Sequence, residues 1–98
     1  VFLGMGDDGH IASLFPGGRE NEERIRLVAA STAPVQPVER ISLSPGALAQ
    51  ARHIILPVIG ATKRAVLDKA LTSGPVSRFP VRHVLTGQSA SCELFLAL

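Results

Sequence analysis

The sequence contains one cysteine, no tryptophan and no tyrosine, and its four aromatic residues are all phenylalanine. A single cysteine excludes an internal disulfide framework and fits a reducing compartment, so we expect a cytoplasmic protein. The net charge is only +2, and no basic run is longer than two residues. Without a basic stripe interleaved with aromatic residues, we expect no nucleic-acid partner.

Long apolar runs are also lacking. None approaches the ~18 residues that a membrane-spanning helix needs, and no signal peptide is visible, so we expect no membrane association. The 98 residues, 46% of them hydrophobic, suit a small globular unit with a modest core. Because the chain starts at Val1 inside one apolar run and ends in another, we interpret residues 1–98 as part of a single domain, a C-terminal fragment. Nothing in the sequence indicates an oligomeric state.

Short apolar strands alternate with short helices along the chain. Strands are predicted at VFL, LVAAST, RISLS, RHIILPVIG and CELFLAL, and helices at HIASLF, PGALAQA, ATKRAVLDKALTS and RFPVRHVL. The charged ENEERIR segment is predicted to be solvated. Ser44 and Pro45 are typical of a helix start, and Gly74-Pro75 of a helix end. The apolar face predicted for the third helix consists of Ala61, Ala65, Val66, Ala70 and Leu71. The alternation predicts an α/β fold, a layered Rossmann-like domain with a mostly parallel sheet.

The stretch Gly4-Met5-Gly6-Asp7-Asp8-Gly9-His10 follows the first apolar run and matches G-x-G-x-x-G, the spacing of dinucleotide-binding loops. In such loops the backbone lies against a diphosphate. Two carboxylates within ~6 Å of a diphosphate would repel it by on the order of 1 kcal/mol each. The two aspartates therefore weigh against a nucleotide-binding module, and we expect no nucleotide cofactor.

Asp8 and His10 would lie at the carboxyl end of a strand, where ligands bind in α/β sheets. An imidazole can accept and return a proton near neutral pH, and a nearby carboxylate can hold its tautomer. The alternative is structural, with Asp8 capping a helix that begins near His10. A metal site is disfavoured because no further His or Cys recurs at ligand spacing.

Lys63 and Arg64 follow Gly60 in the first turn of the third predicted helix. Cations there oppose the helix dipole unless an anion binds, so a phosphate site is one interpretation and two solvated cations the other.

The segment LGMGDDGHIASLFPG resembles the signature of the 6-phosphogluconolactonases, within the superfamily that includes glucosamine-6-phosphate deaminase. ERISLSPGALAQARHIILPVIGATKRAVLDKAL resembles a second family segment. Two features depart from the lactonase pattern: Ile11 replaces a threonine, as in the deaminase branch, and the SCELFLAL ending lacks the usual tail.

The resemblance implies hydrolysis of 6-phospho-D-glucono-1,5-lactone to 6-phosphogluconate in the oxidative pentose phosphate pathway. It implies that His10 is the general base with Asp8 beside it, that Gly6 and Gly9 belong to the active-site loop, and that Arg40 and Lys63 hold the substrate phosphate, without a metal. In the deaminase branch a glutamate of the acid/base machinery stands where this chain has Phe15, which favours the lactonase. The alternatives are a deaminase-like sugar-phosphate isomerase and a nucleotide-binding or non-catalytic sugar-phosphate module.

Overall fold

The computed structural model of the chain describes residues 1–85 and 91–97. Strand β3 (His53–Ile59) pairs in parallel with β4 (Ser91–Ala97), so that His53 lies opposite Ser91. The N-terminal segment runs parallel to the other edge of β3, where Leu3 N donates to Ile55 O at 2.9 Å and Ile55 N donates to Val1 O at 2.8 Å. β3 therefore lies between two parallel neighbours. The N-terminal segment ends at Gly4.

One face of β3 lies in the hydrophobic core. Ile54, Leu56 and Val58 alternate along it, and each is 0% exposed. This confirms the strand predicted at RHIILPVIG, with Pro57 opposite Phe95. The core cluster around these side chains also includes Leu3, Met5, Ile11, Leu14, Leu48, Leu67, Ala70, Val81 and Val84.

A second sheet is an antiparallel hairpin. β1 (Val28–Thr32) pairs with β2 (Glu39–Leu43), with Val28 opposite Leu43 and Thr32 opposite Glu39. Parallel strands need a crossover of a dozen or more residues, whereas residues 33–38 can only turn the chain back on itself. The mixed α/β class is thus confirmed, but the described strands form two small sheets, one of them antiparallel, instead of one mostly parallel sheet.

The described helices are short. They are α1 (Pro45–Ala49), α2 (Ala61–Ala70), α3 (Arg82–Leu85) and a 3-10 helix at Arg19–Glu22. As predicted, Ser44 caps α1, because its hydroxyl accepts from Ala47 N at 3.1 Å. In the parts of the chain described, residues 1–85 and 91–97, no helix has the length and apolarity to cross a bilayer.

Three local predictions are wrong. α2 begins after Gly60 as expected, but Leu67 and Ala70 form its buried face with Val66, while Ala61, Ala65 and Leu71 are exposed. The HIASLF segment is not a helix: Ala12 has a positive φ of 49°, and Ile11 bridges to both Met5 and Leu14. The charged segment is not fully solvated, since Glu20 and Asn21 are buried.

Candidate active site

The loop that carries Asp8 and His10 is closed by its own backbone. Gly6 N donates to His10 O at 2.9 Å, and Gly9 N donates to Gly6 O at 3.0 Å. Gly9 has a φ of +86°, and a Cβ there would lie 2.9 Å from the ring of Phe79. Since L-residues avoid this conformation and the space is filled, the loop requires glycine at position 9.

Asp8 holds His10 by two contacts. Asp8 Oδ1 accepts from the His10 backbone N–H at 3.1 Å and lies 2.6 Å from His10 Nδ1. A carboxylate only accepts, so Nδ1 carries the proton and Nε2 of the neutral ring keeps its lone pair. A histidine whose tautomer is fixed by a carboxylate in this way has the geometry that a general base needs. It also replaces the capping interpretation, because no helix begins at His10 and the Asp8 oxygen closes a turn instead.

The Asp8 carboxyl titrates below its ordinary range. Partial burial acts to raise its pKa, but the hydrogen bonds from the His10 backbone and imidazole, together with the electrostatic interaction with His10, outweigh burial and lower the pKa. Asp8 is therefore ionised at neutral pH, as the tautomer argument requires.

Gly6 lies directly beneath the imidazole. A Cβ at Gly6 would overlap Cε1 and Nδ1 of His10 and would come within 3.0 Å of Asp8 Oδ1. No positive φ forces glycine here, so the requirement is one of space. Gly6 and Gly9 thus serve the predicted active-site loop in different ways, one by its missing side chain and the other by its conformation as well.

A cavity of about 420 Å³ opens beside His10, and its lining also includes Gly6, Ala12 and Lys63. Lys63 is the third residue of α2 and is half-buried. The structure therefore brings the predicted base and one of the two predicted phosphate ligands to the same cavity. Arg64, its neighbour, instead points along the helix to Asp68, with Nε 3.4 Å from Oδ1.

Arg40 occupies a different position. Its Nε donates to Pro37 O at 2.6 Å, and the residue lines a separate cavity of about 910 Å³ between the hairpin and residues 17–20. Its guanidinium carbon lies 5.7 Å from the centre of the Phe15 ring. Arg40 therefore reaches the surroundings of His10 through Phe15, while Lys63 reaches them through the cavity.

Phe15 is a neighbour of His10 that we did not predict from the sequence, where it marks only the position of the deaminase glutamate. Its ring centre lies 4.8 Å from that of the imidazole, with the planes inclined by 42°. The signal in the sequence is the five-residue spacing from His10 to an aromatic residue just before Pro16-Gly17, a turn that returns the chain. This spacing indicates that Phe15 lies near His10 only if the HIASLF segment is a turn and not a helix.

Among residues 1–85 and 91–97, no three His, Cys, Asp or Glu side chains lie close enough together to hold a metal ion. The fold and the site define a mixed α/β protein with a carboxylate-held histidine and a lysine at one cavity, an arrangement suited to proton transfer on an anionic substrate.

The comparisons with known proteins place this chain in a family. A model described as glucosamine-6-phosphate isomerases/6-phosphogluconolactonase matches residues 1–93, and the chain belongs to that family. It is 41% identical over 100 residues to a 6-phosphogluconolactonase from Helicobacter pylori, covering 99% of this chain and 43% of the relative. A 6-phosphogluconolactonase from Neisseria meningitidis serogroup A is 37% identical over 102 residues, covering 99% of this chain and 44% of the relative.

The fold has the same relatives. The crystal structure of a 6-phosphogluconolactonase from Shewanella baltica superposes with a TM-score of 0.91 at 36% identity, covering all of this chain and 43% of that one. The chain thus spans less than half the length of the relatives that it matches.

Proposed function

We propose that the protein containing this chain hydrolyses 6-phospho-D-glucono-1,5-lactone to 6-phosphogluconate, in the oxidative pentose phosphate pathway, with His10 as the general base. The observation that carries the proposal is the 2.6 Å contact between Asp8 Oδ1 and His10 Nδ1 at a cavity shared with Lys63. The names of the relatives support the choice of substrate.

The chemistry needs one proton relay. His10 Nε2 takes a proton from water, and the hydroxide attacks the lactone carbonyl carbon to form a tetrahedral intermediate. When the bond between that carbon and the ring oxygen breaks, the imidazolium returns the proton to the departing oxygen. Asp8 stays ionised throughout and stabilises the transient imidazolium across the short contact.

The substrate phosphate is assigned to Lys63 and Arg40. Lys63 lines the cavity of His10, and the Arg40 guanidinium lies 5.7 Å from the centre of the Phe15 ring. An anion near the start of α2 would offset the cost of a cation in the first helical turn.

The deaminase-like alternative needs an acid beside His10, and Phe15 lies there instead. A phenyl ring relays no proton, whereas ester hydrolysis requires only the single base. Turnover of glucosamine 6-phosphate is therefore the reaction that separates the two members of the family.

The test is an assay of the full-length protein with both substrates, corrected for the spontaneous hydrolysis of the lactone. We expect lactone hydrolysis, and a loss of ~10²–10⁴-fold in kcat for His10→Asn with little change in KM. Turnover of the amino sugar phosphate alone would overturn the lactonase assignment. A His10→Asn variant with near-normal kcat would overturn the role of His10.

We also propose that residues 1–98 form part of one layered Rossmann-like domain of a cytoplasmic protein. The parallel arrangement of residues 1–3, β3 and β4 supports the domain assignment. The single cysteine supports the compartment. A structure of the full-length protein and cell fractionation test the two statements.

A further inference from the structure

The backbone N–H and the carbonyl of Phe15 are both hydrogen-bonded to buried polar side chains, and we call this pair of contacts the grip. Its N–H donates to Glu20 Oε2 at 2.9 Å, and its carbonyl accepts from Asn21 Nδ2 at 2.7 Å. Asn21 is 1% exposed and Glu20 is 7% exposed. Burying a carboxylate and an amide is costly unless both are hydrogen-bonded, so this grip fixes Phe15 firmly.

The amide of Asn21 is itself oriented. Its Oδ1 lies 3.0 Å from His83 Nε2, and its Nδ2 also donates to Gly18 O at 3.0 Å. If the amide were reversed, its oxygen would face the carbonyl oxygens of Phe15 and Gly18, and both hydrogen bonds would be lost. The 3-10 helix at Arg19–Glu22, which looked like a solvated charged segment, thus has a buried polar side directed at Phe15.

The Phe15 ring is where this grip meets the active site. Phe15 is 5% exposed, and its ring packs against the imidazole of His10. The Asp8 contact sets the tautomer of His10 but involves one ring nitrogen, which leaves the imidazole free to tilt about that bond. A fixed aromatic ring against the imidazole removes the tilt.

We propose that Phe15, held by Glu20 and Asn21, is a positioning residue that fixes the plane of the His10 imidazole while Asp8 fixes its tautomer. The proposal rests on the proposed function, in which His10 is the base. Phe15 touches neither the lactone carbonyl nor the attacking water in this role, so its effect falls on kcat through the orientation of His10. A misplacement of the base by ~1 Å costs up to about 10²-fold.

The first arm of the test replaces Phe15 by leucine in the full-length protein, which keeps an apolar side chain and removes the ring. The exposed Phe95 of β4 offers the matched control, Phe95→Leu. We expect Phe15→Leu to lower kcat about 10-fold or more with KM within about 2-fold, and Phe95→Leu to change neither.

A spectroscopic measurement separates positioning from general damage. We expect the Phe15 ring current to shift the His10 ring-proton resonances of the wild-type protein, and we expect Phe15→Leu to remove that shift while the His53 resonances stay in place. His53 reports on the fold because it contacts Glu93 across β3 and β4, with Nε2 2.8 Å from Oε1. Unchanged His10 resonances in Phe15→Leu would overturn the proposal.

The second arm changes the hydrogen bonds to the Phe15 backbone, and it tests the proposal even if Phe15→Leu does not fold. Glu20→Ala removes the acceptor of the Phe15 N–H, whereas Glu20→Gln keeps an acceptor oxygen. The control is Glu22→Ala, because Glu22 is an exposed residue of the same 3-10 helix. We expect Glu20→Ala to lower kcat and Glu20→Gln to restore most of it. Equal kcat in Glu20→Ala, Glu20→Gln and Glu22→Ala would overturn the role of the grip.

The two proposals fail in different ways. A His10→Asn variant with normal kcat removes the base assignment on which positioning depends. A large loss in His10→Asn together with wild-type kcat in Phe15→Leu leaves the base in place and overturns the positioning role alone.

Discussion

Replacing Gly6 by alanine should disable the active site without unfolding the protein. The new methyl group would overlap Cε1 and Nδ1 of His10, so the imidazole must move. The backbone at Gly6 has no positive φ, so alanine brings no conformational strain of its own. His10 has a side chain 31% exposed, so the ring has somewhere to go.

The size of the effect follows from the distances. To reach ordinary van der Waals contact with the new Cβ, the imidazole must retreat by roughly 1 Å, a displacement that costs about 10²-fold in rate. The contact of 2.6 Å between His10 Nδ1 and Asp8 Oδ1 would then stretch out of hydrogen-bonding range. A 10²-fold loss corresponds to about 2.7 kcal/mol in the activation free energy. Because the ring rotates toward solvent, we expect the free energy of unfolding to fall by only about 1 kcal/mol.

The assay is steady-state lactone hydrolysis by the full-length protein, with thermal denaturation of the same samples. Gly4→Ala is the matched control, since a Cβ at Gly4 meets no atom within 4 Å. Gly4 also faces the cavity beside His10, so the comparison is made on kcat and not on KM. We expect Gly6→Ala to lose about 10²-fold in kcat and Gly4→Ala to stay within a few-fold. A Gly6→Ala variant with a kcat within 3-fold of wild type would refute the argument that the space under the imidazole matters.

Three further predictions concern stability and anion binding. Arg82 is buried and donates to carbonyls at and beyond the C-terminal end of α2, among them Ala70 O and Pro75 O. Arg82→Lys lacks the fork of donors and should lower the free energy of unfolding by ~2–4 kcal/mol in denaturant titrations, and an unchanged midpoint would contradict this. Burial and the charge of Arg24 lower the pKa of His83 to about 4 from 6.5. The unfolded chain therefore binds that proton first, and stability should be fully present above pH 6.5 and fall toward pH 4, with a smaller fall in His83→Gln. Lys63→Ala should weaken inorganic phosphate binding in calorimetry, while exposed Lys69→Ala should leave it unchanged.

The elements that sequence predicts well are those whose signals are local. The start of α2 follows from Gly60, and the cap of α1 from Ser44 and Pro45. β3 follows from an apolar run of β-branched and large residues. In each case neighbouring residues alone determine the outcome, so no knowledge of the rest of the fold is needed.

The wrong predictions depend on contacts between distant residues. α2 packs against β3, and in this packing Leu67 is buried while Leu71 is exposed. The antiparallel pairing of β1 and β2 is the exception, because it can be predicted from the length of residues 33–38: so short a connection cannot join parallel strands.

The site shows the same division. The pairing of Asp8 with His10 lies within three residues and follows from their spacing, whereas Phe15, Glu20 and Asn21 join the site through a turn that resembled a helix. The placement of Arg40 against Phe15 depends on how the hairpin packs, which no local pattern contains. The convergence of Arg40 and Lys63 on one anion stays a prediction for a complex with bound phosphate.

Ile11 connects the chemistry of the loop to the packing of the core. It is 0% exposed, and it bridges to Met5 before the loop and to Leu14 after it, which fixes the base of the loop on which His10 stands. A hydroxyl at this position would enter an apolar environment, where burial without a partner costs about 1–3 kcal/mol. The apolar packing of the core therefore favours isoleucine over threonine at position 11, where the chain departs from the lactonase pattern. The Ile11 side chain is buried in the core, and the residues that line the cavity beside His10 do not include it.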